Sequence, residues 1–198
     1  MLSYSSRESL KETENNAKKK TTRYYEQDAE KVKEYREKIK DVPKEEIVYI
    51  DETGIDKCLM RKYGRSPKGV KVYGRVYGHK FARINIVAAQ QGNHIIAPLM
   101  YKGMMHSLFF EEWFEKHLIP LLSKNTVVVM DNASFHRKKR LNDLAEQYGI
   151  RIIFLPPYSP ELNPIEHTWA NIKRWLKKNM RNYSTFCEAL NAAIEFYS

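Results

Sequence analysis

The chain is poor in sulfur. Only two cysteines occur in 198 residues, Cys58 and Cys187, far apart and at no metal-ligand or redox spacing. That argues against a dedicated zinc site built on cysteine and histidine and fits a reduced, cytosolic setting. No hydrophobic run approaches the roughly 18 residues of a membrane span, so no membrane partner is expected. The first twenty residues are polar and charged and carry no signal-peptide pattern. The most telling shortage is of acid. From Lys57 to Phe110 there are ten basic residues and not one Asp or Glu. A long run of one sign predicts a polyanionic partner, most simply nucleic acid.

The rest of the composition agrees. Net charge is +10, and residues 46–198 hold 22 basic and 14 acidic residues, whereas residues 1–45 are nearly balanced at 12 and 10. Hydrophobic residues make up 42 %, enough for one buried core. Residues 1–20 have little to bury and end in Lys18-Lys19-Lys20; they read as disordered or as the remnant of a DNA-binding region. Residues 21–44 read as a linker helix, with an apolar stripe of Tyr25, Ala29, Val32, Tyr35 and Ile39 at steps of three and four. Pro43 closes it.

Residues 45–198 read as one α/β domain. Ile47 to Ile50 is a short apolar strand running into Asp51. Arg83–Ala89 and His94–Tyr101 are two strands joined around Gln91-Gly92-Asn93, a hairpin signal. Ser107–Leu122 has helical spacing. Thr126–Met130 is a fully apolar strand that runs into Asp131. A helix over 137–148, a strand over 151–155, a Pro-rich loop over 156–162 and a helix from Asn163 to about Met180 follow, then a last helix. Strands separated by helices favour parallel pairing, and the hairpin adds antiparallel strands. The expected fold is a mixed five-stranded sheet flanked by helices.

Three carboxylates draw notice. Asp51 and Asp131 stand where apolar strands end, pointing at the crevice in which open α/β sheets bind ligands; such aspartates also serve as turn formers. Glu166 follows Asn163-Pro164-Ile165, a complete helix-start signal in which Asn163 caps and Glu166 closes a capping box. Yet Glu166 heads a basic face with Lys173 and Lys177, Arg174, Lys178 and Arg181 nearby. That suits a helix whose first turn meets a metal and whose later turns meet phosphates. Three acidic groups in one crevice could hold hard divalent cations, which prefer oxygen ligands.

Three blocks carry a resemblance. Val48-Tyr49-Ile50-Asp51-Glu52-Thr53-Gly54, Val128-Val129-Met130-Asp131-Asn132-Ala133-Ser134-Phe135-His136, and the run from Leu155 through Pro164-Ile165-Glu166 to Trp169 resemble the signature blocks of DDE transposases. The branch is the bacterial insertion-sequence group of the mariner-like superfamily. The 34 residues between Asp131 and Glu166 match that superfamily's spacing, and Arg61 to Gly69 looks like its basic loop.

The resemblance implies a ribonuclease-H-like fold and Mg²⁺ or Mn²⁺ as cofactor, two ions in all. Asp51, Asp131 and Glu166 become the catalytic metal ligands, with Asn132 and His136 in support. From the acid-free basic run and the basic helix face, Arg61, Lys62, Arg65, Lys68, Lys71, Lys173, Lys177 and Arg181 are the expected DNA contacts. The resemblance further implies cleavage at transposon ends and strand transfer into target DNA, typically at a TA step, by a homodimer in the bacterial cytoplasm, associated with the nucleoid. Family members carry a helix-turn-helix region upstream, and none fits here. The chain is then expected to work with an upstream partner or as a frameshift fusion; the alternative is an idle truncated fragment that binds DNA or regulates a full-length transposase.

Overall fold

A computed structural model describes residues 24–57, 66–71, 73 and 83–198. The expectations for residues 1–20 and for Arg61, Lys62 and Arg65 lie outside the described residues.

The elements run α1 (Ala29–Ile39), β1 (Ile47–Asp56), β2 (Arg83–Gln91), β3 (His94–Tyr101), α2 (Ser107–Trp113), β4 (Val127–Met130), α3 (Lys138–Gln147), β5 (Arg151–Phe154), α4 (Ile165–Asn179) and α5 (Phe186–Phe196). The five strands form one sheet in the order β3-β2-β1-β4-β5. β1 pairs antiparallel with β2 and parallel with β4, and β4 pairs parallel with β5. This is the mixed five-stranded sheet that the apolar runs predict.

Alternation along the strands builds a core on each side. Val48 and Ile50 of β1 join Val128 and Met130 of β4 against Phe110, Trp113 and Phe114 and against Leu141 and Leu144 of α3. Ile55 with Ile84, Ile86 and Ala88 of β2 packs on Ile165, Trp169, Ile172 and Leu176 of α4 and on α5. Val127, Val129 and Ile153 meet Tyr35 of α1. The sheet is thus sandwiched between α2/α3 and α1/α4/α5, with side chains of period 2 feeding both layers.

Local signals explain most element ends. Asp28 caps α1 by accepting from the backbone N–H groups of Glu30 and Lys31. The β2–β3 hairpin turns on Gly92-Asn93, with Gly92 at φ 59°. Gly149, at φ 70°, ends the α3 turn. After α2 the chain widens into a π-turn over Phe114–Leu118 and tightens through Pro120.

Three local expectations are corrected. The α1 stripe is narrower than its spacing suggests: Tyr25 and Ala29 are exposed and only Val32 and Tyr35 are buried, because the helix begins at Ala29 and only one edge touches the sheet. β1 does not end at Asp51 but runs on to Asp56, since β2 continues to supply hydrogen-bond partners. Asn163 does not cap α4. No side chain among the described residues caps that helix; the buried Asn163 amide instead donates to the Ile50 carbonyl at 3.3 Å and ties the Pro-rich loop to β1. The capping box is therefore not formed.

Candidate active site

Asp51 lies in mid-β1, yet it stands where the parallel pairing stops. β1 and β4 pair from Ile47↔Val127 to Tyr49↔Val129. Carried forward two residues, that register sets Asp51 level with Asp131, just past the last residue of β4. The crevice therefore opens between these two strands, as it does at the carboxyl ends of open parallel sheets. The Leu155 N–H donates to the Met130 carbonyl at 2.8 Å and brings the Pro-rich loop to the same rim. Asn132 strengthens that join: its Nδ2 donates to the Leu155 carbonyl at 2.6 Å. The loop then delivers α4, whose first turn carries Glu166. One cavity of about 650 Å³ is lined by Asp51, Asp131 and Glu166 together with Asn132, Tyr158 and Asn163.

Electrostatics separate the two aspartates. Burial pushes the Asp51 carboxyl up to about 7, and the nearby charges of Glu166 and Asp131 push the same way. The Trp169 indole N–H opposes them by donating to Asp51 Oδ2 at 3.0 Å. Asp131 is half-exposed. Burial works to raise its carboxyl too, but hydrogen bonds from His136 and from the Ala133 N–H outweigh it and hold it below the usual carboxylate range. His136 Nε2 lies 3.1 Å from Asp131 Oδ1. The ring is buried edge-on against Phe110 and beside Phe135, and its Nδ1 has no partner among the described residues. An ionised carboxylate oxygen only accepts, so His136 donates to Asp131 from Nε2.

The donor set suits a hard divalent cation. Asp51, Asp131 and Glu166 line one cavity, and the charges of Glu166 and Asp131 act on Asp51 as a repulsion that a cation relieves. Among the described residues no group of three or more His, Cys, Asp or Glu forms a ready-made metal cluster. A Mg²⁺ ion held by a few carboxylates, waters and substrate phosphates needs none.

Several participants escape a reading of the sequence. Trp169 reads as a core residue of α4, and it is one, but its indole N–H also needs an acceptor once buried; its place three residues after Glu166 was the available signal. Glu52, next to Asp51, points to the opposite face of β1. It accepts from Tyr101 Oη at 2.8 Å through Oε2, while Oε1 is buried without a partner among the described residues. A smaller cavity of about 100 Å³ joins Asp51, Glu52, Asp131 and His136.

The expected DNA contacts are scattered. Lys173 is partly buried and donates to Thr53 Oγ1 at 2.8 Å, two residues along β1 from Asp51. Lys177 and Arg181 are exposed at the far end of α4 and just beyond it. Lys68 and Lys71 are exposed in and beside a turn in which the Val70 N–H donates to the Pro67 carbonyl.

Residues 46–188 match a family model described as DDE superfamily endonuclease. An uncharacterized protein, y4pE/y4sA of Sinorhizobium fredii (strain NBRC 101917 / NGR234), is 31 % identical over 77 residues, which cover 36 % of this chain and 55 % of that protein. Two solved structures share the fold. A Mos1 transposase paired-end complex with left transposon end superposes with a TM-score of 0.67 at 13 % identity, over 94 % of this chain and 60 % of that one. A mariner Mos1 paired end complex with Mg gives 0.58 at 14 % identity, over 91 % and 65 %. The sheet order and helical layers are ribonuclease-H-like. The chain spans a little over half the length of the curated relative and under two thirds of these solved chains.

Proposed function

Because the chain belongs to the DDE superfamily endonucleases, we propose that it is the catalytic part of a DNA transposase, cleaving and joining DNA strands with divalent metal ions. The observation that carries this reading is the meeting of Asp51, Asp131 and Glu166 in one cavity, from strands and a helix far apart in sequence.

In this reading residues 45–198 are the catalytic domain and residues 21–44 a linker. Asp51, Asp131 and Glu166 hold two Mg²⁺ or Mn²⁺ ions. Two such ions, when bound, activate the attacking oxygen and stabilise the leaving oxygen of a phosphodiester displacement. The protein's own groups prepare that site. The Trp169 N–H fixes one oxygen of Asp51 and lowers its proton affinity. The His136 N–H does the same for Asp131, and Asn132 and Asn163 pin the rim from which α4 starts. Asn132 and His136 thus act by support. Lys68, Lys71, Lys173, Lys177 and Arg181 offer positive charge to the DNA backbone, as do Arg61, Lys62 and Arg65 in the basic loop.

The substrate follows as double-stranded DNA, namely transposon ends and a target that is typically a TA step, handled by a homodimer. An upstream helix-turn-helix partner or fusion would supply sequence reading. No helix among the described residues is long and apolar enough to cross a membrane, and a bacterial cytoplasmic, nucleoid-associated setting fits such a substrate. The convergence of all three carboxylates speaks against the idle-fragment reading.

A plasmid-nicking assay tests the proposal. The chain should nick supercoiled DNA with Mg²⁺ or Mn²⁺ and not with EDTA. Asp131→Asn should lose nicking while keeping its melting temperature within a few degrees. Metal-independent nicking, or full activity in that variant, would defeat it.

A further inference from the structure

Beyond Asp51, the opposite face of β1 carries a second feature. Gly54 pairs with Asn85 of β2, and Asp56 pairs with Arg83. The Arg83 side chain folds back across the strand so that its guanidinium lies directly over Gly54. A Cβ at Gly54 would fall on the guanidinium atoms themselves. The backbone of Gly54 is not in the left-handed region, so the glycine is needed there for space and not for conformation. The arginine is held in place. Its Nε donates to Asn85 Oδ1 at 3.1 Å, and Asn85 Nδ2 in turn donates to the Gly103 carbonyl at 2.6 Å. This leaves the two terminal nitrogens of the fork, which make no hydrogen bond or ion pair among the described residues.

A groove of about 500 Å³ runs along this platform, lined by Glu52, Gly54, Arg83, Tyr101, Met104 and Phe135. Glu52 and Phe135 also line the small cavity behind Asp51 and Asp131, so the groove begins at the candidate active site. Met104 is 91 % exposed on its wall. An oriented guanidinium with free donors is the geometry that grips a phosphate. An apolar wall beside it suits sugar and base.

We propose that Arg83, seated on Gly54, grips a backbone phosphate of the DNA strand that leaves the active site along this groove. The inference rests on the endonuclease reading for its substrate. It assigns a specific path to one strand and makes Gly54 a positioning residue that acts through Arg83. The carboxylates nearby would repel a phosphate on their own, so the contact belongs to the cation-loaded site.

The test uses the full chain, a random-sequence duplex, and Ca²⁺ as the divalent ion, with binding measured across a range of salt. Arg83→Ala should weaken binding about tenfold at fixed salt, as expected for losing one charge-assisted contact. It should also flatten the slope of log K against log [salt] by about 0.9, the loss of one neutralised phosphate. Gly54→Ala should reproduce both effects with Arg83 still present, because its methyl evicts the guanidinium. The double variant should be no worse than either single one.

If Arg83→Ala changes the melting temperature but not the salt slope, the arginine is structural and the proposal falls. If only Arg83→Ala changes the slope, the Gly54 seat is wrong. Arg83 is exposed, so its variant folds and decides the phosphate contact even if Gly54→Ala melts early. Wild-type nicking in Mg²⁺ runs alongside. Nicking with an unchanged Arg83 slope defeats this inference alone. A changed slope without nicking supports the contact while defeating the endonuclease reading.

Discussion

Replacing Asp51 by asparagine should stabilise the metal-free protein and abolish its response to metal. The carboxyl is raised from an ordinary 3.8 to about 7 by burial and by Glu166 and Asp131. A group raised on folding contributes stability that is complete below about 3.8 and is lost as pH climbs through about 7. At pH 8 the ionised Asp51 therefore costs on the order of 4 kcal/mol relative to the unfolded chain, and at pH 5 less than half of that. Asparagine removes the charge but keeps an oxygen to accept from the Trp169 N–H, so the packing of α4 on β1 is retained. For a chain of this size, each kcal/mol moves the melting temperature by roughly 2–4 °C. In EDTA at pH 8, Asp51→Asn should then melt about 8–16 °C above the wild type, with a much smaller gap at pH 5. Added Mg²⁺ should raise the wild-type melting temperature at pH 8 and leave the variant nearly unmoved. The assay is a set of thermal melts by circular dichroism across pH, with and without metal. A variant that melts below the wild type at pH 8, or a gap that ignores pH, would refute the reasoning.

Three further outcomes are expected. Glu166→Gln should not lower the melting temperature, since no capping bond is lost and a charge that repels Asp51 is removed, and should lose nicking by at least about a hundredfold; unchanged nicking would return Glu166 to a structural role. Trp169→Phe should keep the hydrophobic contact but free Asp51 Oδ2, so the acidic limb of the pH–nicking profile should move to higher pH, and a profile that stays put would show that the indole N–H has no part in tuning Asp51. DNA affinity should fall with salt at a slope near −0.9 for each phosphate neutralised, and a flat salt response would remove the basic surface from the DNA interface.

Much of this protein is legible in its sequence because the informative interactions are local. Apolar runs such as Val127–Met130 and the stripe Ile165, Trp169, Ile172 and Leu176 announce their elements through period alone. Gly92 and Gly149 mark turns because their backbones sit at positive φ. The three carboxylates are visible through the blocks that surround them. What the sequence could not determine depends on which chain segment lies opposite. β1 runs past Asp51 because β2 pairs with it as far as Asp56. That extension sends Asp51 toward α4 and Glu52 toward His136, a split that side-chain alternation imposes only once the strand is known to continue. Asn163 reads as a cap from its neighbours, yet it spends its amide on Ile50, a residue more than a hundred positions away. Lys173 reads as a solvent-facing cation, yet it is tied to Thr53. Gly54 lies beyond the strand that the apolar run predicts, yet β1 includes it and the space above it is filled by Arg83 from the next strand. Local pattern sets the elements, but a buried polar group takes whichever partner the sheet register brings within reach, and that register is a property of the folded chain alone.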